Sequence, residues 1–109
     1  MAPLWSVLFF AYEDGDFPFS DFTSRLAREE RAECLAIIEH LCKWGDQLSG
    51  TNCLTHTNCL LEFQGKSVRI FYVCESDFVI IIDGLLQDDG DEFLDAIYRK
   101  ANDYAKDKD

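Results

Sequence analysis

Basic residues are scarce in this sequence. Ten lysines and arginines stand against 21 aspartates and glutamates, a formal net charge of −11. Phosphate affinity rests on lysine and arginine, so this balance weighs against free binding of nucleic acid. It suits a surface that meets a basic partner, or a chain kept from self-association by its own charge. Long apolar runs are also missing. None approaches the roughly 20 residues needed to span a bilayer, which predicts no membrane partner. Met1 to Phe10 lacks a basic start, a long apolar centre and a small-residue cleavage site, so no secretory signal is expected and the location is read as cytoplasmic. There are no repeats, low-complexity segments or linkers, and residues 1–109 are expected to form one domain.

The five cysteines are an odd number. That argues against a closed disulfide framework, and cytosolic thiols are normally reduced. Cys34 and Cys42 fall in an apolar helix pattern, and Cys74 falls in a strand pattern. Cys53, His56 and Cys59 form a C-x2-H-x2-C array with two readings. As metal ligands they lack an evident fourth member, which structural zinc usually takes. The plainer reading is small hydrophobes and a surface histidine. No cofactor and no bound metal is expected.

What is abundant is apolar and aromatic sequence in short stretches. Residues 4–12, LWSVLFFAY, read as a first strand. Glu13-Asp14-Gly15-Asp16 is a turn, after which Asp16 is expected to cap a short helix with Pro18 in its first turn. Phe19, Phe22 and Leu26 give that helix an apolar side. Arg28 to Arg31 is charged and reads as a joint, with a second helix from about Ala32 to Trp44. Cys34, Leu35, Ile38, Leu41 and Cys42 form its stripe, and Gly45 stands at the C-cap. The two helices are expected to pair against the sheet. Residues 47–57 read as loop with a short irregular strand.

The remainder reads as strand, strand, strand, helix. Residues 59–64 and Val68 to Cys74 form a hairpin through Gly65-Lys66, and Phe78 to Gly84 adds the next strand. The last two strands are apolar on both sides of the pleat, which places them at the centre of an antiparallel sheet. Asp89 and Glu92 have the spacing of a capping box. Phe93, Leu94, Ile97, Ala101 and Tyr104 then line one face of a helix over 91–105. The fold class expected is α+β.

Several of these segments resemble a known family. Asp14-Gly15-x-x-Pro18-x-x-x-Phe22, the Gly45 at the close of the second helix, Arg69-Ile70-Phe71-Tyr72, Val79 to Leu85, and Ala96…Arg99-Lys100…Asp103-Tyr104 are similar to phage-derived HigB-like proteins of the RelE/ParE toxin superfamily. The resemblance implies a RelE-like antiparallel sheet with an N-terminal helical hairpin on one face and a C-terminal helix. It implies a type II toxin, a ribosome-dependent mRNA interferase held by a cognate antitoxin. Such an enzyme is a metal-independent endoribonuclease, needing a base, an acid and cations for the phosphorane charge.

The sequence departs from the family at those groups. HigB-like proteins usually carry Glu-Leu-Arg where this chain has Glu62-Phe63-Gln64. They usually show His-Gly-Phe and two lysines where it has Asp83-Gly84-Leu85 followed by Gln87-Asp88-Asp89. At ~6 Å each unit of charge changes a phosphate contact by roughly 1–3 kcal/mol, so these exchanges oppose RNA. Arg69 and Lys66 remain as candidate catalytic residues. Their plainer readings are a strand-end ion pair to Glu62 or Asp83, and a solvated turn lysine. Activity is therefore expected to be weak or absent. The alternative is an acidic inhibitor on the toxin fold that binds a basic protein or imitates nucleic acid. The partners expected are the antitoxin or another basic protein, with ribosome and mRNA only if the chain is catalytic.

Overall fold

The computed structural model describes residues 4–45, 53–56 and 59–108. Its elements are β1 (Ser6–Phe9), α1 (Pro18–Ser24), α2 (Arg28–Trp44), β2 (Cys53–Thr55), β3 (Leu61–Gln64), β4 (Val68–Glu75), β5 (Phe78–Leu86), a 3-10 turn (Asp91–Phe93) and α3 (Leu94–Lys108). The strands form one sheet in the order β1-β5-β4-β3-β2. The architecture is α+β. Much of the expected loop over residues 47–57 lies outside the described residues. Among the described residues no helix is long and apolar enough to cross a membrane.

The sheet is mixed rather than antiparallel throughout. β2, β3, β4 and β5 follow one another antiparallel, as hairpin geometry requires. β1 instead lies parallel to β5, with Ser6 opposite Phe78 and Phe9 opposite Ile81. The path from β1 through two helices before the hairpins lets it return alongside the last strand in the same direction. Parallel neighbours need this kind of long crossover.

β4 and β5 are central and apolar on both sides because both faces of the sheet are covered. Val68, Ile70, Tyr72, Val79 and Ile81 meet Phe19, Phe22, Ile37 and Leu41 on one face. Leu60, Phe71, Val73, Ile80, Ile82 and Leu85 meet Ile97 and Ala101 of α3 on the other. α1 lies against β5, and α2 lies over β4 and β1. Gly84 makes the first of these contacts possible, since a Cβ there would stand 2.4 Å from the Phe22 ring. Gly45 closes α2 with a φ of 52°, and Trp5 fills the space where its side chain would be.

Three helix starts differ from the expected ones. α2 begins at Arg28, so the joint is Arg25 to Ala27. Glu30 reaches back to the Ala27 N–H at 2.8 Å, and Glu29 adds a second carboxylate at the positive end of the helix. Asp16 does not cap α1. Its own N–H goes to Asp14 Oδ1 at 2.9 Å, and the capping position is Phe17. Asp89 does not open the last helix either, since its Oδ2 accepts the Leu86 N–H at 2.8 Å and so closes the turn after β5. Gly90 takes the position before the 3-10 turn.

The β4–β5 pairing slips by one residue midway along β5. Phe71 pairs with Asp83, but the next residue, Tyr72, pairs with Ile81, so Ile82 is an extra residue in β5. A bulge of this kind bends the strand and re-aims a side chain. Ile82 stays in the core on the α3 side, and Asp83 is turned toward α3 and Lys100.

Candidate functional site

In an antiparallel pair, residues opposite each other share a face. Glu62 stands opposite Phe71, and Gln64 opposite Arg69, so all four project to the α3 side of the sheet. This puts two polar side chains of β3 and a guanidinium of β4 under cover. Glu62 is fully buried and Arg69 is 7% exposed. Groups so buried require partners.

Glu62 is the hub. Its Oε2 accepts from Arg69 Nε at 2.6 Å and from Gln64 Nε2 at 3.1 Å. Its Oε1 meets Arg69 Nη2 at 3.3 Å and His56 Nε2 at 2.7 Å. Burial alone would raise its pKa, but the hydrogen bonds from Arg69, His56 and Gln64 prevail and hold the carboxyl below its ordinary value. Arg69 is shifted upward, chiefly by its bond to Glu62 and further by the charges of Asp91 and Asp89. Its guanidinium also lies 5.5 Å from the Phe71 ring centroid.

His56 extends the network outward. Because Glu62 is a carboxylate, His56 Nε2 must donate, which leaves Nδ1 to accept the Tyr98 hydroxyl at 2.9 Å in the neutral ring. A carboxylate, an imidazole and a phenol thus form one hydrogen-bonded chain.

A second pair lies beyond the bulge. Asp83 is 6% exposed, accepts the Gly84 N–H at 2.8 Å and meets Lys100 Nζ. Asp16, Asp21 and Arg25 join these two around a cavity of about 330 Å3. At the β3–β4 turn, Glu33 of α2 accepts the N–H groups of Ser67 at 2.8 Å and Val68 at 2.9 Å. Backbone amides that would suit a phosphate therefore already hold a carboxylate of the chain itself.

Of the two candidate residues, Arg69 is in this network and Lys66 is not. Lys66 is exposed in the turn and has no hydrogen bond or ion pair among the described residues. Of the two carboxylates expected as ion-pair partners for Arg69, Glu62 is the one that binds it. His56 and Tyr98 are members that sequence reasoning misses. The legible signal is Glu62-Phe63-Gln64, an alternation that puts two polar residues on one side of a strand facing Arg69. Nothing local marks His56 as their partner.

The Cys53, His56 and Cys59 array does not assemble. Cys53 Sγ lies 3.2 Å from Tyr72 Oη, while both ring nitrogens of His56 are engaged elsewhere. Among the described residues no three histidine, cysteine or acidic side chains are grouped to hold a metal. The thiols differ in environment. Cys34 is buried and its pKa is pushed up to about 11, by burial first and then by Glu33 and Glu30, whereas Cys59 is exposed. The thiolate is the reactive form. A thiol reagent at neutral pH should therefore label Cys59 early and Cys34 only as the protein unfolds. Peptide mapping that finds native Cys34 labelled as fast as Cys59 would contradict this.

The described residues define an α+β protein with a buried, carboxylate-centred polar network on one face of its sheet. The chain matches no family model, and no curated protein shows similarity to it.

Proposed function

We propose that this chain is a RelE/HigB-like scaffold that does not cleave RNA and works through protein contacts, its acidic surface meeting a basic partner in the cytoplasm. The observation that carries the reading is the neutralisation of cations beside the sheet. Arg69 is bound by Glu62 and Lys100 by Asp83. A guanidinium whose charge is offset by a buried carboxylate, with a further N–H on the Asp89 carbonyl, is poorly placed to neutralise a phosphorane, and breaking the pair would leave a charge buried. The Glu33 carboxylate on the β3–β4 turn acts in the same sense. The order strand, two helices, hairpin strands and final helix supports the family resemblance.

A second reading keeps RNA cleavage, because the His56–Tyr98 pair places an acid–base couple next to Arg69. Induced expression in a bacterial host, with growth measurement and mapping of messenger RNA ends, separates the two. The expected result is undisturbed growth and no discrete cleavage. Growth arrest with defined cleavage sites, abolished by Arg69→Ala, would establish the second reading instead.

A further inference from the structure

The outer edge of β1 combines three features. The first is open backbone. Ser6 N–H bonds the Asp77 carbonyl and Phe10 N–H the Ile81 carbonyl, both at 2.9 Å, so the even positions of β1 face β5. The amides and carbonyls of Val7 and Phe9 therefore point away from the sheet, where no described residue bonds them. The open edge begins after Trp5, whose N–H is taken by the Cys42 carbonyl at 2.8 Å. Unpaired edges of this kind are templates for another strand.

The second feature is apolar surface. Leu8 is 49% exposed and Phe78 42% on the α3 side of the edge, and Phe9, 41% exposed, carries the apolar surface round to the other face beside Phe17 and Phe19. Leu8, Phe78, Ile80 and Tyr104 line a groove of about 360 Å3 beside the edge. Exposed apolar residues scattered singly are ordinary, but a contiguous group along an open strand marks an interaction site. The third feature is charge. Glu75 is the charged residue lining the groove. Asp77 precedes β5, and Glu13, Asp14 and Asp16 follow β1.

We propose that the β1 edge receives an extended segment of a partner protein, apolar at alternate positions and flanked by lysine or arginine, which extends the sheet by one strand. Charge chooses between the occupants. A second copy of this chain would bring −11 against −11 and oppose acidic flanks with acidic flanks. A basic segment meets opposite charge on both sides of the groove. The proposal rests on the protein-binding reading above and gives that partner a place and a chemistry.

The test uses a short synthetic peptide of alternating valine and serine with lysines at both ends, titrated into the full chain and mapped by NMR shifts. Binding should map to β1 and exceed that of a glutamate-ended counterpart by about tenfold at low salt. N-methylation of the core amides that face β1 should abolish it. Leu8→Asp should weaken it while leaving the circular dichroism spectrum unchanged. Equal binding of the two peptides, indifference to N-methylation, or no binding at all would overturn the placement. Concentration-dependent dimerisation mapped to β1 would give the edge to a second copy. Message cleavage by the protein alone would sink the protein-binding reading, whereas a failed peptide titration would sink only the site at β1.

Discussion

Glu62→Ala is expected to destabilise the protein by about 3–5 kcal/mol, because removing one partner of a buried ion pair leaves the other charged and unpaired. Glu62 is fully buried and Arg69 nearly so, which leaves water little access to the stranded guanidinium. His56 and Gln64 lose their acceptor in the same step. Domains of this size have about 5–15 kcal/mol of total stability, so the variant should melt more than about 10 °C lower or fail to fold. Where it fails to fold, Glu62→Gln supplies the measurement, since it keeps the shape and one acceptor oxygen and should cost less. Glu62→Leu combined with Arg69→Met should recover part of the loss, since no buried charge then remains. A loss below about 0.5 kcal/mol for Glu62→Ala in denaturant unfolding would mean that Arg69 finds solvent or another carboxylate.

The same hub sets an acid dependence. A carboxyl whose folded pKa lies below its unfolded value binds fewer protons in the folded state, so stability rises with pH across the interval between them. Glu62 is lowered from an ordinary 4.5 by Arg69, His56 and Gln64 acting against burial. Its contribution is thus complete above about pH 4.5 and is lost as pH falls through the lowered folded value. In urea titrations the Glu62→Gln variant should lose less stability than the parent over that acid interval. Parallel curves would show that another group governs it.

The strands are legible in the sequence where a single periodicity decides them. Val68 to Cys74 and the run from Phe78 are apolar on both faces, and only a central position in a covered sheet accommodates that. Direction is not legible for β1. Nothing in LWSVLFFAY says that its partner is the last strand or that the two run parallel, because that pairing is made over some seventy residues. The helix starts expected at Asp16, Ala32 and Asp89 are displaced for a common reason. A carboxylate near a helix start can cap it, reach back from the third position as Glu30 does, or close a preceding turn as Asp89 does. Sequence spacing does not rank these choices. Three of the five members of the polar network are legible, since Glu62, Gln64 and Arg69 are fixed by strand alternation and hairpin register. His56 enters from the segment beside β2 and Tyr98 from α3, so their meeting depends on how both pack over β3 and β4.

If the proposed HigB-like resemblance holds, introducing basic residues at the positions where it calls for them should raise affinity for RNA. Gln64→Arg, Gln87→Lys and Asp88→Lys add one unit for each neutral residue and two for Asp88, four in all, against a starting net charge of −11. The three sites are not equivalent. Gln87 and Asp88 are exposed in the turn after β5, where new ammonium groups are unencumbered apart from the Gln87 bond to the Gly65 carbonyl at 3.0 Å. Gln64 already donates to Glu62, so an arginine there shares that carboxylate with Arg69 and presents less charge outward. The two lysines alone should therefore supply most of the gain. With up to three phosphate contacts the triple variant should bind single-stranded RNA on the order of a hundredfold more tightly at low salt. Each contact releases counterions, so the logarithmic salt dependence should steepen by about two. Fluorescence anisotropy across a salt series reads both quantities. A gain under about threefold with an unchanged salt slope would mean that these positions do not form one phosphate-facing surface, and would count against the proposed toxin scaffold with its charge reversed.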